Sequence, residues 1–593
     1  MRRFSSAFTI FVVMQTCCAC WVVAAEVYVD ASHGDDKQDG LQVSPVKSIP
    51  KAIELARQRQ APRIQLAAGH YPLSAPLSDL GGLSISGDPK MPTILSGGRR
   101  IAGWKQSGEL LQAELAEVRE GKWKFRELFI NGERCSRART PNAGYFRVAE
   151  VGPDKRTSFT FAGKDLKAWR GIENAELVFL HDWSISRIKF TQVDETTHRA
   201  FFADPVGPNA DFFRMDSFES QPRYFVENSP DLLDAPGEWY LDERAGLLSY
   251  RPRPGETADS LEAFAPYLDA LVIVRGEPGK PVESVAFAHL TFENCRFDAP
   301  AHGYAEGQAT KYEQRDGKPG EPGSLVPAAL TFDFARGCSF QNCTFRHLGG
   351  SAIWFRRECL QNKLEHCTLD DIGGNGVNIG ETITRDKVSR GNGVTDCHIS
   401  RCGQFAFGGV GIWVGIAAES KVAHNEISQL PYTGVSVGWK WDPTPTGAEK
   451  NMIENNHIHH VMQTLSDGGG IYTLGRQPGT VLRGNHIHDV PVNLGRAESN
   501  GFFIDEGSSE LLLESNVIYA IAGSPIRFHQ ALKDTLQSNY LAHTDDVPMF
   551  RYNSTDPNSM SYAKNERLGD AQGKYAAGNA AADKIIKVAG PRQ

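Results

Sequence analysis

Two aspartates are placed where they could do chemistry: Asp467 in SDGGGIYTLGR (466–476) and Asp505 in GFFIDEGSSE (501–510). They are 38 residues apart and each adjoins a short stretch of alternating character. Hydrolysis of a glycosidic bond needs two carboxyl groups about 5 Å or about 6.5–9.5 Å apart, one of them kept protonated. Bringing two like charges together itself raises the proton affinity of one of them. Glu506 rivals Asp505, because a bulge after the strand would turn it outward instead, and Glu381 is a more distant candidate. The plainer reading of Asp467 is an Asp-Gly turn residue. His529 is suited to orienting a carboxylate or binding a hydroxyl, and Arg527 to meeting an acidic sugar or pairing with an aspartate. Trp413, Trp439 and Tyr472 are candidates for stacking on sugar rings, against the alternative that each packs on a loop.

What must position these residues is a repeat. From residue 290 a short phrase returns as ENCRF, QNCTF, EHCTL, TDCHI, AHNEI, ENNHI, RGNHI, ESNVI and QSNYL, centred on Cys295, Cys343, Cys367, Cys397, Asn425, Asn456, Asn485, Asn516 and Asn539. After the first interval the steps are 24, 30, 28, 31, 29, 31 and 23 residues, one coil each. A coil of that size cannot bury its own apolar face, so stacking at about 4.8 Å predicts a right-handed parallel β-helix, an all-β solenoid. The central cysteines and asparagines are expected to form an inward ladder. A second strand follows each phrase, with Ile353, Val377, Ile412, Val435, Ile471, Phe502, Ile526 and Met549 pointing inward. Alternation then turns Trp354, Trp413, Tyr472, Phe503, Arg527 and Phe550 outward. Gly380, Gly415 and Gly438 in the next outward column predict an open trough beside exposed aromatics.

Residues 1–25 carry Arg2 and Arg3, an apolar run from Thr9 to Val23 and small residues at the end, which predicts a signal peptide and export to the periplasm or the cell exterior. The run falls short of the about 20 apolar residues that span a bilayer, so no stable membrane insertion is expected after cleavage. Residues 26–97 read as an N-terminal cap and first coils, with Ser48 as a helix N-cap. Residues 98–270 lose the phrase and read as an inserted β-rich domain, 271–555 as the β-helix with its groove, and 556–593 as a polar, poorly ordered tail. The string RCSRARTPNAGYF (134–146) carries three arginines that alternate along a strand; it is either satisfied by acidic neighbours or closes one wall of the groove. The Gly- and Pro-rich segment 301–325 reads as a mobile loop, and with 440–450 it is expected to set the depth of the site. A net charge of -8 supplies no basic field for nucleic acid. No metal or cofactor is expected, and the partner expected is a polysaccharide or oligosaccharide.

At VYVDASHGDD, LFINGERCSRARTPN, PGEWYLD, DGGGIYTLG and FFIDEGSS the chain resembles the β-helical glycosidases of glycoside hydrolase family 141, with the β-helix xylosidases as more distant kin. The resemblance covers most of the chain after residue 25. It implies a glycosidase, of α-L-fucosidase or xylan-active type, whose two catalytic aspartates correspond to Asp467 and Asp505. Two other classes fit the same scaffold. A polysaccharide lyase needs a basic residue and usually calcium, whereas the outward columns hold Arg356 and Arg527 but no lysine. A non-catalytic carbohydrate-binding solenoid needs no carboxylate pair.

Overall fold

The computed structural model describes residues 26–217, 219–315, 325–491, 495–569, 573–575 and 577–592. The signal segment read at 1–25 lies outside them. Three long parallel sheets of 13, 12 and 10 strands wind around one continuous core, and each coil gives one short strand to each sheet. Lys421–Ala423, Glu426–Ser428 and Val435–Val437 make one such coil. At the N-terminal end the strand Glu26–Val29 pairs in parallel with Arg63–Leu66. Between them the helix Ile49–Arg59, with the Ser48 side chain accepting from the Lys51 amide, turns Ile49, Ala52, Ile53, Leu55 and Ala56 into the core.

The inward ladder is built of hydrogen bonds. Asn425 Nδ2 donates to Asn456 Oδ1 (3.0 Å), Asn456 to Asn485 (3.0 Å), Asn485 to Asn516 (3.1 Å) and Asn516 to Asn539 (2.9 Å). Cys397 joins through its amide, which donates to Asn425 Oδ1, and Cys343 and Cys367 continue the line. Cys295 does not. Thr344 pairs with Thr291, so Leu290 is the residue in line with Cys343, while Cys295 stands beside Leu348 at the far end of its strand. The first phrase was therefore misplaced by five residues, because two different turns of this coil carry a similar string.

Asn485→Ala removes the acceptor of the Asn456 amide and side chain, and the donor to Ile453 O. Leaving buried polar groups unpaired costs about 1–3 kcal/mol each. The expected loss is about 3 kcal/mol, read from the urea midpoint of unfolding.

In the ten-stranded sheet Ile353, Val377, Ile412, Val435, Ile471, Phe502 and Ile526 align as expected, but the last member is Phe550, not Met549. Arg551 rather than Phe550 is thus in line with Arg527. The predicted open trough is not there. Trp413 is fully buried, with Trp439 edge-on at 5.3 Å. A Cβ at Gly415 would lie 2.1 Å from the Trp413 ring, and one at Gly438 2.0 Å from Leu474 O. Those glycines exist so that a ring and the next coil can close over the position.

Between Gly98–Ile101 and Ala263–Pro266 the chain leaves the solenoid and forms two mostly antiparallel sheets with their own apolar cores. Two of the three arginines in the string meet acids, and the third, Arg139, donates to the carbonyls of Pro141 and Gly144. Arg134 binds Asp371 at 2.6 Å on a β-helix coil, and Arg137 reaches Glu227 at 2.7 Å and Glu176 at 3.2 Å. Segment 301–325 opens with ordered structure instead of a loop: Tyr304–Gln308 pairs with Ile185–Asp194 and with Lys311–Tyr312. Residues 316–324 of that segment lie outside the described residues. The described residues of the polar tail are ordered too. They add the rungs Ser561–Ala563 and Glu566–Leu568 and the helix Ala580–Val588, because Asn565 extends the ladder by one coil, accepting from Asn539 at 2.8 Å.

Candidate active site

Asp467 directly precedes the strand Gly468–Thr473, and Asp505 directly follows Ser499–Ile504 on the next coil. Both line one cavity of about 890 Å³. The β-helix supplies its floor with Tyr472, Glu506 and His529, the inserted domain contributes Trp183, Phe212 and Phe213, and the 304–312 hairpin contributes Gln308, Lys311 and Tyr312. A roof built from a separate domain is what turns a shallow sheet face into a pocket.

The two carboxyl groups have different surroundings. Asp467 has backbone φ +56°, which aims it off the strand, and its Oδ1 accepts from Arg527 Nη1 at 2.9 Å. Burial raises its pKa to about 6; Arg527 opposes this, and the charges of Asp505 and Asp182 add to it. A quarter of the side chain still meets solvent (25 %), so a substrate can reach it. Asp505 is held on both oxygens: Tyr472 donates to Oδ2 at 2.5 Å, and His529 Nδ1 lies 2.7 Å from Oδ1. That hydrogen bond raises the pKa of His529, favouring the imidazolium. Glu506 also lines the cavity, with His529 at 3.9 Å, and burial raises its pKa.

Of the other residues singled out in the sequence, His529 and Arg527 each attend one aspartate. Arg527 reaches Asp467 across Phe503, over whose ring its guanidinium lies at 4.3 Å. Tyr472 is buried, so it orients Asp505 through its hydroxyl and offers no sugar platform. Trp413 and Trp439 are likewise buried and are not platforms. Trp439 instead backs Trp441, at 5.0 Å, and Trp441 is 40 % exposed and lines the cavity. Glu381 is not at the site; it pairs with Arg385 and Arg357.

Two further contributors carried no repeat signal. Asp182, fully buried on a turn of the inserted domain, accepts from the Ser466 amide through its carbonyl and from the Arg496 amide through Oδ1, fixing the approach to Asp467. Lys311 lines the cavity with its pKa lowered by burial, its Nζ 5.8 Å from the Trp441 ring. Trp441→Ala is expected to raise KM about tenfold with little change in kcat, since an aromatic face contributes about 1 kcal/mol beyond its area; initial rates across a substrate series check it.

Comparison with known proteins agrees with this architecture. Residues 328–518 match the model of a right-handed β-helix region, and residues 108–253 match that of the GH141 insertion domain. A solved structure described as a glycoside hydrolase is 22% identical, with 96% of this chain and 99% of that one covered at a TM-score of 0.77. More remote are a complex of XylC with xylose (10% identity, 92% and 84% covered, TM-score 0.46) and a GH136 lacto-N-biosidase from Eubacterium ramulus (12%, 91% and 67%, TM-score 0.36). No curated protein sequence matches the chain significantly. The class is thus a right-handed parallel β-helix of glycoside hydrolase type with an inserted β-rich domain. Within that class the chain resembles GH141 proteins, through the match of residues 108–253 to their insertion domain.

Proposed function

We propose that the protein is an exported glycosidase that cleaves glycosidic bonds in plant or algal polysaccharides, of α-L-fucosidase or xylan-active type, with Asp467 as general acid and Asp505 as general base or nucleophile. The observation that carries this reading is the pair of carboxyl groups in one cavity with opposed environments. Burial keeps Asp467 protonated to about pH 6, whereas Asp505 has both oxygens engaged, by the Tyr472 hydroxyl and by His529 Nδ1. Arg527 occupies Oδ1 of Asp467, so the transferable proton belongs on Oδ2. Trp441, Trp183 and Phe212 supply apolar faces for sugar rings at the rim.

The test is sugar release from fucosylated pectin, fucoidan and xylan by the purified protein without added metal, with Asp505→Asn as control. Release that the variant does not reproduce supports the reading. Lys311 favours one competing assignment, a lyase, because a lysine with a lowered pKa is a competent base. That assignment requires an unsaturated uronate in the product and loss of activity in Lys311→Met.

A further inference from the structure

A second cluster of reactive side chains lies outside this cavity, on the outer face of the twelve-stranded sheet. The strand His457–His459 pairs in parallel with His486–Val490, so His457 stands beside His486 and His459 beside His488, while Ile458 and Ile487 point inward. The sequence carries this grid as the string His-Ile-His repeated one coil apart, within the phrases that set the solenoid. Stacking explains part of its geometry: the His457 and His486 rings are parallel to within 2° at 4.7 Å, and the His459 and His488 rings to within 5° at 5.2 Å.

Stacking does not explain the diagonal. His457 Nε2 and His488 Nε2 face each other at 2.8 Å, and the ligand atoms of His457, His486 and His488 all lie within 4.8 Å of one another. We propose that these three histidines hold a single divalent cation of the zinc class. A zinc ion with nitrogen ligands at about 2.0–2.1 Å needs its donors only slightly further apart than this diagonal pair. Imidazole donors select zinc, nickel or copper over calcium or magnesium.

The surroundings prepare the rings for that role. His488 Nδ1 lies 2.7 Å from Asp489 Oδ2, which places its proton on Nδ1 and leaves Nε2 as a lone pair turned toward His457. The Tyr519 hydroxyl, 2.9 Å from His486 Nε2, fixes that ring. The C-terminal tail shelters the site: the Gly590 amide donates to Asn455 O at 2.8 Å, a Cβ at Gly590 would lie 3.4 Å from His457 Cβ, and Arg592 beyond it pairs with Asp396 at 2.7 Å. An ion here would clamp two coils under the tail, far in function from the carboxylate cavity.

The full chain, purified without a histidine tag and stripped of metal, is titrated with zinc against a chromophoric chelator. One bound ion per chain is expected, together with a rise in Tm on adding zinc. The double variant His457→Phe, His488→Phe keeps the ring stack and is expected to fold, to lose about 100-fold or more in affinity, and to show no zinc-dependent rise in Tm. Because Asp505, Glu506 and His529 also form a potential ligand set, the variant Asp505→Asn with His529→Phe is titrated in parallel and is expected to bind as the wild type does. Absence of stoichiometric binding, binding retained by the double phenylalanine variant, or binding lost with Asp505 and His529 would each overturn the proposal.

Discussion

Asp467→Asn is expected to lower kcat/KM on a natural glycoside by about 10³-fold, while an aryl glycoside with a good leaving group loses less than about tenfold. General acid catalysis contributes about 10²–10⁴-fold by protonating the departing oxygen, and a leaving group that departs as a stable anion does not need the proton. Asparagine keeps an oxygen for Arg527, which donates to Asp467 at 2.9 Å, so the site should stay assembled. The pH dependence follows from the same group. With the carboxyl raised to about pKa 6 in the folded protein, the active protonated form is complete below that value, and kcat/KM falls as pH rises through about 6. In the variant that alkaline limb is expected to vanish. An equal loss on both substrates, with the limb intact, would remove Asp467 from the role of proton donor and turn attention to Glu506, whose pKa burial also raises.

The reason the solenoid could be read from sequence is physical: every coil repeats the same constraint. An inward asparagine must find the next asparagine, and Asn456, Asn485 and Asn516 therefore recur at nearly even spacing. The placement of Asp467 and Asp505 on neighbouring coils was legible for the same reason, since strand register sets one before and the other after adjacent rungs. Exposure was not legible. Period-two alternation states that Trp413 and Tyr472 point away from the core of the coil, but not that they meet water, and both are buried. Trp413 is covered by Trp439, and the cavity over Tyr472 is lined by the inserted domain, the 304–312 hairpin and the 440–450 loop, segments outside the repeat. Trp441, Lys311 and Asp182 belong to those segments, and their place at the site depends on long-range packing. The tail was misread through composition, because its polar and Ala-rich character hid the rung at Asn565.

Asp505→Asn is expected to be the most damaging single change, lowering kcat by about 10³–10⁴-fold on natural and activated substrates alike, since a base or nucleophile is required whatever the leaving group. An amide presents one acceptor and one donor where the carboxylate presents two acceptors. Tyr472 donates to one oxygen at 2.5 Å and His529 Nδ1 lies 2.7 Å from the other, so the amide NH₂ would meet either a hydroxyl that must turn or a ring that must shed its proton. The His529 pKa, raised chiefly by its bond to Asp505, is therefore expected to fall in the variant, a shift that NMR titration reads independently of turnover. Product affinity should change only a few-fold, because Trp441, Trp183 and Phe212 are untouched. Glu506→Gln, by contrast, is expected to retain activity within about tenfold. Azide at high concentration should restore turnover of the activated substrate by Asp505→Gly, as a small anion enters the space that the carboxylate leaves. Wild-type turnover by Asp505→Asn, or a loss confined to Glu506→Gln, would transfer the base to Glu506 and leave Asp505 as the residue that positions His529.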